Sequence, residues 1–379
     1  MSISQASMPL FVCTHAIIMS LWSDSDWEDS DKEIPCRPKR QRVSGQLPNH
    51  DEQQTKLPVI NQNQAASDQT KLAFCPDILK DILIKILLID SLCGCFRSYG
   101  RFFSRGKNRF VEMFSGGPKG RAVSNGFRKR GWEGDGFDKD ITEDHDFTSA
   151  FGFCATLLSV FRLCLGDLLW TGLVCTSFCW VNRNTSQRFA SNNFLGDQTL
   201  KHVAIGNLIL YRNMLLPLLH QATEGIIMLE QPLGSCMPSV PIFRSTWKFS
   251  KWNYVVVWLG AYGAESKKPI KIFAPVTWIE HLKKKIPQKQ QFVKLCTSKD
   301  GKHTGKSAAL KNSQHYPQPF GAQVAKQFSA HLGVPPFCAP SVHATNCFIQ
   351  KHDWSLAKLD SIHSWLDNKI AKLRDAHVG

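Results

Sequence analysis

The sequence predicts an α/β domain on a largely parallel sheet, carried in a chain with a polar N-terminal extension and a helical tail. Three observations predict it. From Arg109 onward, short apolar runs alternate with longer stretches of helical periodicity. The runs at 168–172 and 225–229 read as strands buried in a core, as in a parallel sheet. With 379 residues and 43% apolar content, the chain is large enough for a sizeable core.

Residues 1–70 read as disordered: an acidic serine-rich run (Ser23 to Asp31), a basic cluster (Arg37-Pro38-Lys39-Arg40-Gln41-Arg42) and a Gln/Asn-rich stretch. Residues 71–105 hold a predicted amphipathic helix at 77–90. Its Ile78, Leu79, Ile82, Leu83, Ile86 and Leu87 recur at helical spacing, and the stripe is expected to dock on the main domain. The main domain is expected over 106–280. Strands are predicted at 110–114, 132–138, 168–172, 225–229, 254–259 and 269–273, and helices at 121–130, 147–165 and 198–222. A lysine-rich extension at 281–335 contains a predicted short helix at 322–331. An amphipathic helix closes the chain within 336–379, with Asp353 as its expected N-cap.

The 46 Lys and Arg against 31 Asp and Glu give a net charge of +15. A field of that sign favours polyanions, nucleic acid first and an anionic membrane surface second; ordinary solvated lysines are the alternative. The 13 cysteines lack disulfide-framework or zinc spacing, which points to a reducing compartment. Together with the basic cluster, this predicts a nuclear or cytoplasmic location. Residues 8–22 are apolar but lack a basic flank, so they are not expected to be a signal peptide. The apolar stretch 151–181 is a membrane candidate, yet it carries Arg162 and Asp167 and divides at Gly166-Asp167. It is expected to be a buried helix–strand pair, without stable membrane insertion.

Candidate chemistry sits at the strand ends. Phe114-Ser115-Gly116-Gly117 is a glycine turn after the first strand, and Asp138 stands 22 residues beyond Gly116 at the end of the next. That pattern fits a nucleotide-like cofactor, with an ordinary βα turn as the alternative. Cys175 follows the strand at 168–172 and is either a nucleophile or an inert apolar cysteine. Glu230 closes the strand at 225–229, where a carboxyl is costly unless paired or used; a salt bridge to Arg183 or Arg212 is the structural alternative. No metal site is evident. Lys283, Lys284 and Lys285 are candidates for phosphate contacts.

The glycine turn, Gly172-Leu173-Val174-Cys175-Thr176-Ser177, Glu230-Gln231-Pro232 and Gly260-Ala261-Tyr262-Gly263-Ala264-Glu265-Ser266-Lys267-Lys268-Pro269 together resemble the C5-cytosine methyltransferase-like superfamily, specifically a divergent protist branch. The likeness covers roughly 109–275, with a possible continuation to Phe320. It implies a Rossmann-like, S-adenosylmethionine-dependent methyltransferase fold acting on DNA or RNA. By this resemblance Cys175 attacks C6 of cytosine and Glu230 engages N3. Phe114, Ser115 and Gly116 form the cofactor loop, Asp138 takes the ribose and Asp146 the adenine region. Asn207 and Arg212 match conserved positions on the long helix. A non-catalytic nucleic-acid or cofactor-binding module of the same fold is the first alternative. A membrane-associated protein using 151–181 is the second.

Overall fold

The computed structural model describes residues 75–93, 109–163, 166–222, 224–288, 290–293, 296–299, 302–305, 313–332 and 340–378. The expectations for 1–70, including the basic cluster, lie outside these residues. In chain order the principal elements are α1 (Cys75–Cys93), β1 (Arg109–Met113), α2 (Ala122–Arg128), β2 (Glu133–Phe137), α3 (Ala150–Phe161), β3 (Leu168–Gly172), α4 (Lys201–Ala222) and β4 (Ile226–Pro232). Then come α5 (Pro241–Phe249), β5 (Asn253–Trp258), β6 (Pro269–Ala274), β7 (Cys296–Lys299), β8 (Lys302–Gly305), α6 (Gln318–Ala330), α7 (Val342–Lys351) and α8 (Leu359–Val378).

Six strands form one mixed sheet in the order β2-β1-β3-β4-β6-β5. β1 to β4 are parallel, and β6 runs antiparallel to both β4 and β5. β7 and β8 form a separate two-stranded ladder. From β1 the chain moves to β2 on one side and then crosses back to β3 on the other. That reversal puts a topological switch point at the carboxyl ends of β1 and β3, the position at which open α/β sheets bind ligands.

Both sheet faces are buried, which is why the strands read as apolar runs. Val111, Met113, Leu169, Ile227 and Leu229 belong to one core with residues of α3, α4, α1 and α8. Phe110, Leu168, Trp170, Ile226 and Met228 belong to the other, with Val123 and Phe127 of α2 and Phe320, Val324 and Phe328 of α6. The stripe of α1 docks as expected, burying Ile82, Ile86 and Ile89. Lys85 fastens α1 to α8, its Nζ lying 2.8 Å from Asp81 and 2.7 Å from Asp367, with His363 beside both carboxylates.

The stretch 151–181 is a helix followed by a strand, both in the core. Among the described residues one helix, α4, is long and apolar enough to cross a membrane, and 78% of that window is buried inside the protein. Arg212 on α4 is itself buried; its guanidinium donates to the carbonyls of Phe147, Thr148, Ser149 and Ala357. These bonds tie α4 to the start of α3 and to the C-terminal region.

Several expectations need correction. Within the lysine-rich extension, α6 packs directly on α2. A Cβ on Gly321 would lie against the carbonyl of Ala122, so only glycine permits that approach. α6 starts at Gln318 rather than 322, since Pro319 occupies the first turn, where a missing N–H costs nothing. Residues 336–379 hold two helices, α7 and α8, rather than one. Asp353 accepts from the Ser355 backbone N–H at 2.8 Å; it braces the short 3₁₀ turn Ser355–Ala357 and does not cap the terminal helix. α5 was not foreseen.

Candidate functional site

The turn after β1 is built for close approach. Gly116 and Gly117 have positive φ (79° and 65°), which glycine tolerates readily, and Phe114 is held at a φ of 59° that a phenylalanine rarely adopts. Phe114 and Ser115 donate their backbone N–H groups to the Phe137 carbonyl at 2.7 and 3.2 Å, which binds the turn to the end of β2. Gly116 N donates to Asp138 Oδ2 at 2.8 Å, and Asp140 N donates to Oδ1 at 2.9 Å. The glycine turn and Asp138 are therefore adjacent, and a carboxylate offers about four acceptor positions, so capacity remains for hydroxyl donors. Asp146 lies farther along; its Oδ1 accepts from the Thr148 N–H and Oγ1, organising the entry to α3. Two buried polar atoms near the turn, Ser115 Oγ and His315 Nδ1, have no partner among the described residues. The His315 ring reaches the turn, for a Cβ on Gly116 would stand 3.0 Å from Nδ1.

Cys175 sits three residues beyond β3, half-buried, in a tight turn whose carbonyl accepts from Phe178 N (2.8 Å) and Cys179 N (2.9 Å). Polar tethers hold this loop. Gln231 Nε2 donates to the Leu173 carbonyl at 3.0 Å, and Asn182 Nδ2 donates to the Thr176 carbonyl at 2.6 Å. Arg188, fully buried with its guanidinium over the Phe178 ring, donates to the carbonyl and Oγ of Ser177 at 3.0 and 2.9 Å. It also donates to Asn207 Oδ1 at 2.8 Å, so Asn207 orients the arginine. The Cys175 thiol is pulled below its ordinary pKa by a hydrogen bond from Cys179, against the opposing effect of burial; the charge of Lys268 adds to the lowering. Cys179 is pushed the other way by the same hydrogen bond and by burial.

Glu230 pairs in register with Gly172 of β3 and Ile272 of β6. It lies inside β4, which runs on to Pro232, rather than closing the strand. The salt bridges weighed for it do not form: Arg212 is spent on carbonyls and Arg183 donates to the Arg188 carbonyl. Instead Tyr316 Oη donates to Glu230 Oε2 at 2.7 Å. Burial raises the carboxyl's pKa, opposed by the Lys268 charge and the Tyr316 bond. Lys268 thus acts on Cys175, Cys179 and Glu230 together, and its Nζ donates to the Ser313 carbonyl at 2.6 Å. A cavity of ≈ 260 Å³ has Ser266, Lys268, His315 and Tyr316 in its wall, and neither Cys175 nor Glu230 lines it.

The structure therefore brings the glycine turn, Asp138, Cys175 and Glu230 to one edge of the sheet, while Asp146 is engaged in its own local turn. Sequence reading missed Lys268, Tyr316, Arg188 and the tethering role of Gln231. Lys268 and Gln231 lie within motifs already singled out. Tyr316 and Arg188 carry no local signal, since each acts on a loop or strand remote in the chain. Lys283, Lys284 and Lys285 are exposed at the end of a 3₁₀ turn. Lys283 pairs with Glu280, and Lys284 stands 4.3 Å from the centroid of the Tyr262 ring.

Among the described residues no cluster of His, Cys, Asp and Glu suits a metal ion. No protein-family model matches this chain, and no curated protein matches it either.

Proposed function

We propose that the chain is an S-adenosylmethionine-dependent C5-cytosine methyltransferase homologue of Rossmann-like fold, acting on nucleic acid. The observation that carries this reading is the convergence, at one sheet edge, of a glycine turn joined to Asp138 with a half-buried Cys175 and a buried Glu230. We place the cofactor at the topological switch point of the β1/β3 reversal. The turn's backbone, Asp138, and Ser115 Oγ and His315 Nδ1, without partners among the described residues, are polar groups that a nucleoside carrying a charged tail would satisfy.

S-adenosylmethionine, bound there, supplies the methyl group. The chain's own residues prepare the base, which must leave the stack because C5 and C6 are closed to attack within a duplex. The thiolate sulfur of Cys175 bonds to C6 while Glu230 hydrogen-bonds at N3. After methyl transfer, the C5 proton leaves to a base, the C5–C6 double bond reforms and the sulfur–C6 bond breaks. The resembled family holds its cysteine loop with two prolines where Leu173-Val174 stands here. The bonds from Gln231, Asn182 and Arg188 supply the rigidity instead. Lys268 supports the thiolate.

Equilibrium binding of labelled S-adenosylmethionine to the full chain tests the cofactor. Gly116→Val should abolish it while unfolding stays cooperative: the new side chain would meet His315 and Gly120, in a backbone conformation unfavourable to valine. Unchanged affinity in calorimetry would take this turn out of the pocket. Cofactor binding without any turnover would support the binding-only module.

The polyanion surface has its own expected result. Replacing Lys283, Lys284 and Lys285 with Gln should weaken binding about equally across sequences, because phosphate contacts carry little sequence information. The slope of log affinity against log salt should flatten by up to about 3, at roughly 0.9 per neutralised phosphate. The Glu280 pair on Lys283 predicts a value nearer 2. An identical slope would mean these lysines are only solvated.

A further inference from the structure

We propose that Tyr316 is a positioning residue for Glu230: its hydroxyl holds one carboxyl oxygen and leaves the other for the ring nitrogen of the target base. This rests on the reading of Glu230 given above. Three independent features point to it. Tyr316 Oη donates to Oε2 at 2.7 Å, whereas Oε1 is buried and meets no donor among the described residues. A buried carboxyl oxygen left without a donor is costly, so its retention calls for a partner that arrives with the ligand.

The second feature is the room made for the phenol. A Cβ on Gly172, the residue paired with Glu230, would lie 2.5 Å from Oη, so the strand is cut away where the hydroxyl reaches the carboxyl. The third is how firmly the ring is held. Trp170 meets it edge-on at 5.8 Å, Phe320 lies against it at 5.4 Å in a tilted contact, and Pro317 immediately follows as the cap of α6. The Lys268 bond to the Ser313 carbonyl anchors the segment from the other side. A hydroxyl aimed in this way fixes the rotation of the carboxyl. With Oε2 accepting from the phenol, any proton the carboxyl carries resides on Oε1, where it can be shared with N3. Glu112, fully buried on the same sheet face, accepts from Ser124 and takes no bond from Tyr316.

Tyr316→Phe removes the hydroxyl and keeps the ring. Infrared difference titration of the full chain reads the carboxyl directly, with the Glu230 band assigned by its loss in Glu230→Gln. The expected result is an upward shift of the Glu230 pKa in Tyr316→Phe, since a donor that favours the ionised form has gone, with unfolding still cooperative. A Glu230 titration identical in wild type and Tyr316→Phe would overturn the proposal. The second arm is trapping on an oligonucleotide containing 5-fluorocytosine, where Tyr316→Phe should form adduct about tenfold more slowly with little change in half-saturating oligonucleotide. An unchanged rate would also overturn it. Absence of adduct in the wild type would instead sink the methyltransferase reading, leaving the titration to decide the role of Tyr316.

Discussion

Incubated with S-adenosylmethionine and an oligonucleotide containing 5-fluorocytosine, the wild-type chain should form a covalent adduct that survives denaturation, and Cys175→Ser should form none. Fluorine at C5 leaves no proton to remove, so the sulfur–C6 bond cannot be released. Serine fails because its hydroxyl is far harder to ionise than a thiol. Cys179→Ser should keep the adduct, for a hydroxyl there still donates toward Cys175. Cys179→Ala should slow it by removing the bond that lowers the thiol's pKa. The same lowering predicts that the adduct rate rises with pH through a midpoint below the ordinary thiol value of 9.0. Glu230→Gln should slow trapping, since an amide cannot exchange a proton at N3. Single-stranded, duplex and transfer-RNA substrates need testing in parallel. No adduct with any of them would sink the enzyme reading and favour a binding-only homologue.

Arg188→Met should cost about 3 kcal/mol or more of stability, since each neutral acceptor stranded in the interior costs on the order of 1–3 kcal/mol. Methionine keeps the apolar contact with Phe178 but leaves the Ser177 carbonyl, the Phe194 carbonyl and Asn207 Oδ1 without their guanidinium donor. Lysine should recover little, since one ammonium cannot span those acceptors as a planar fork does. Because Ser177 lies two residues from Cys175, the variant should also loosen the loop. A misplacement of about 1 Å can cost two orders of magnitude in rate. Urea unfolding measures the first effect and adduct formation by the folded fraction measures the second. A loss below about 1 kcal/mol would show that the remaining tethers suffice alone.

What could be read ahead of the structure follows from periodicity. The β3 limits match the prediction residue for residue because an apolar run bounded by Asp167 and a glycine leaves little choice. The docking of α1 was equally legible from its 3.6-residue spacing. α5 was not, because Pro241–Phe249 is short and rich in aromatic and β-branched residues. The signals it did offer were Pro241 at its start and the helical spacing of the buried Ile242, Phe243 and Thr246.

The candidate site divides the same way. Local chemistry marked Cys175, Glu230, the glycine turn and Asp138, because a strand followed by a sharp turn places its last residues at the sheet's carboxyl edge. Only the tertiary structure decided what those residues touch. Tyr316 reaches Glu230 across 86 residues of chain, and Arg188 clamps the Cys175 loop because α4 supplies Asn207 beside it. It likewise decided that Arg212 serves backbone carbonyls and not Glu230. Hydrogen bonds between distant segments depend on how the layers pack, and sequence spacing encodes the layers without encoding which side chains meet between them.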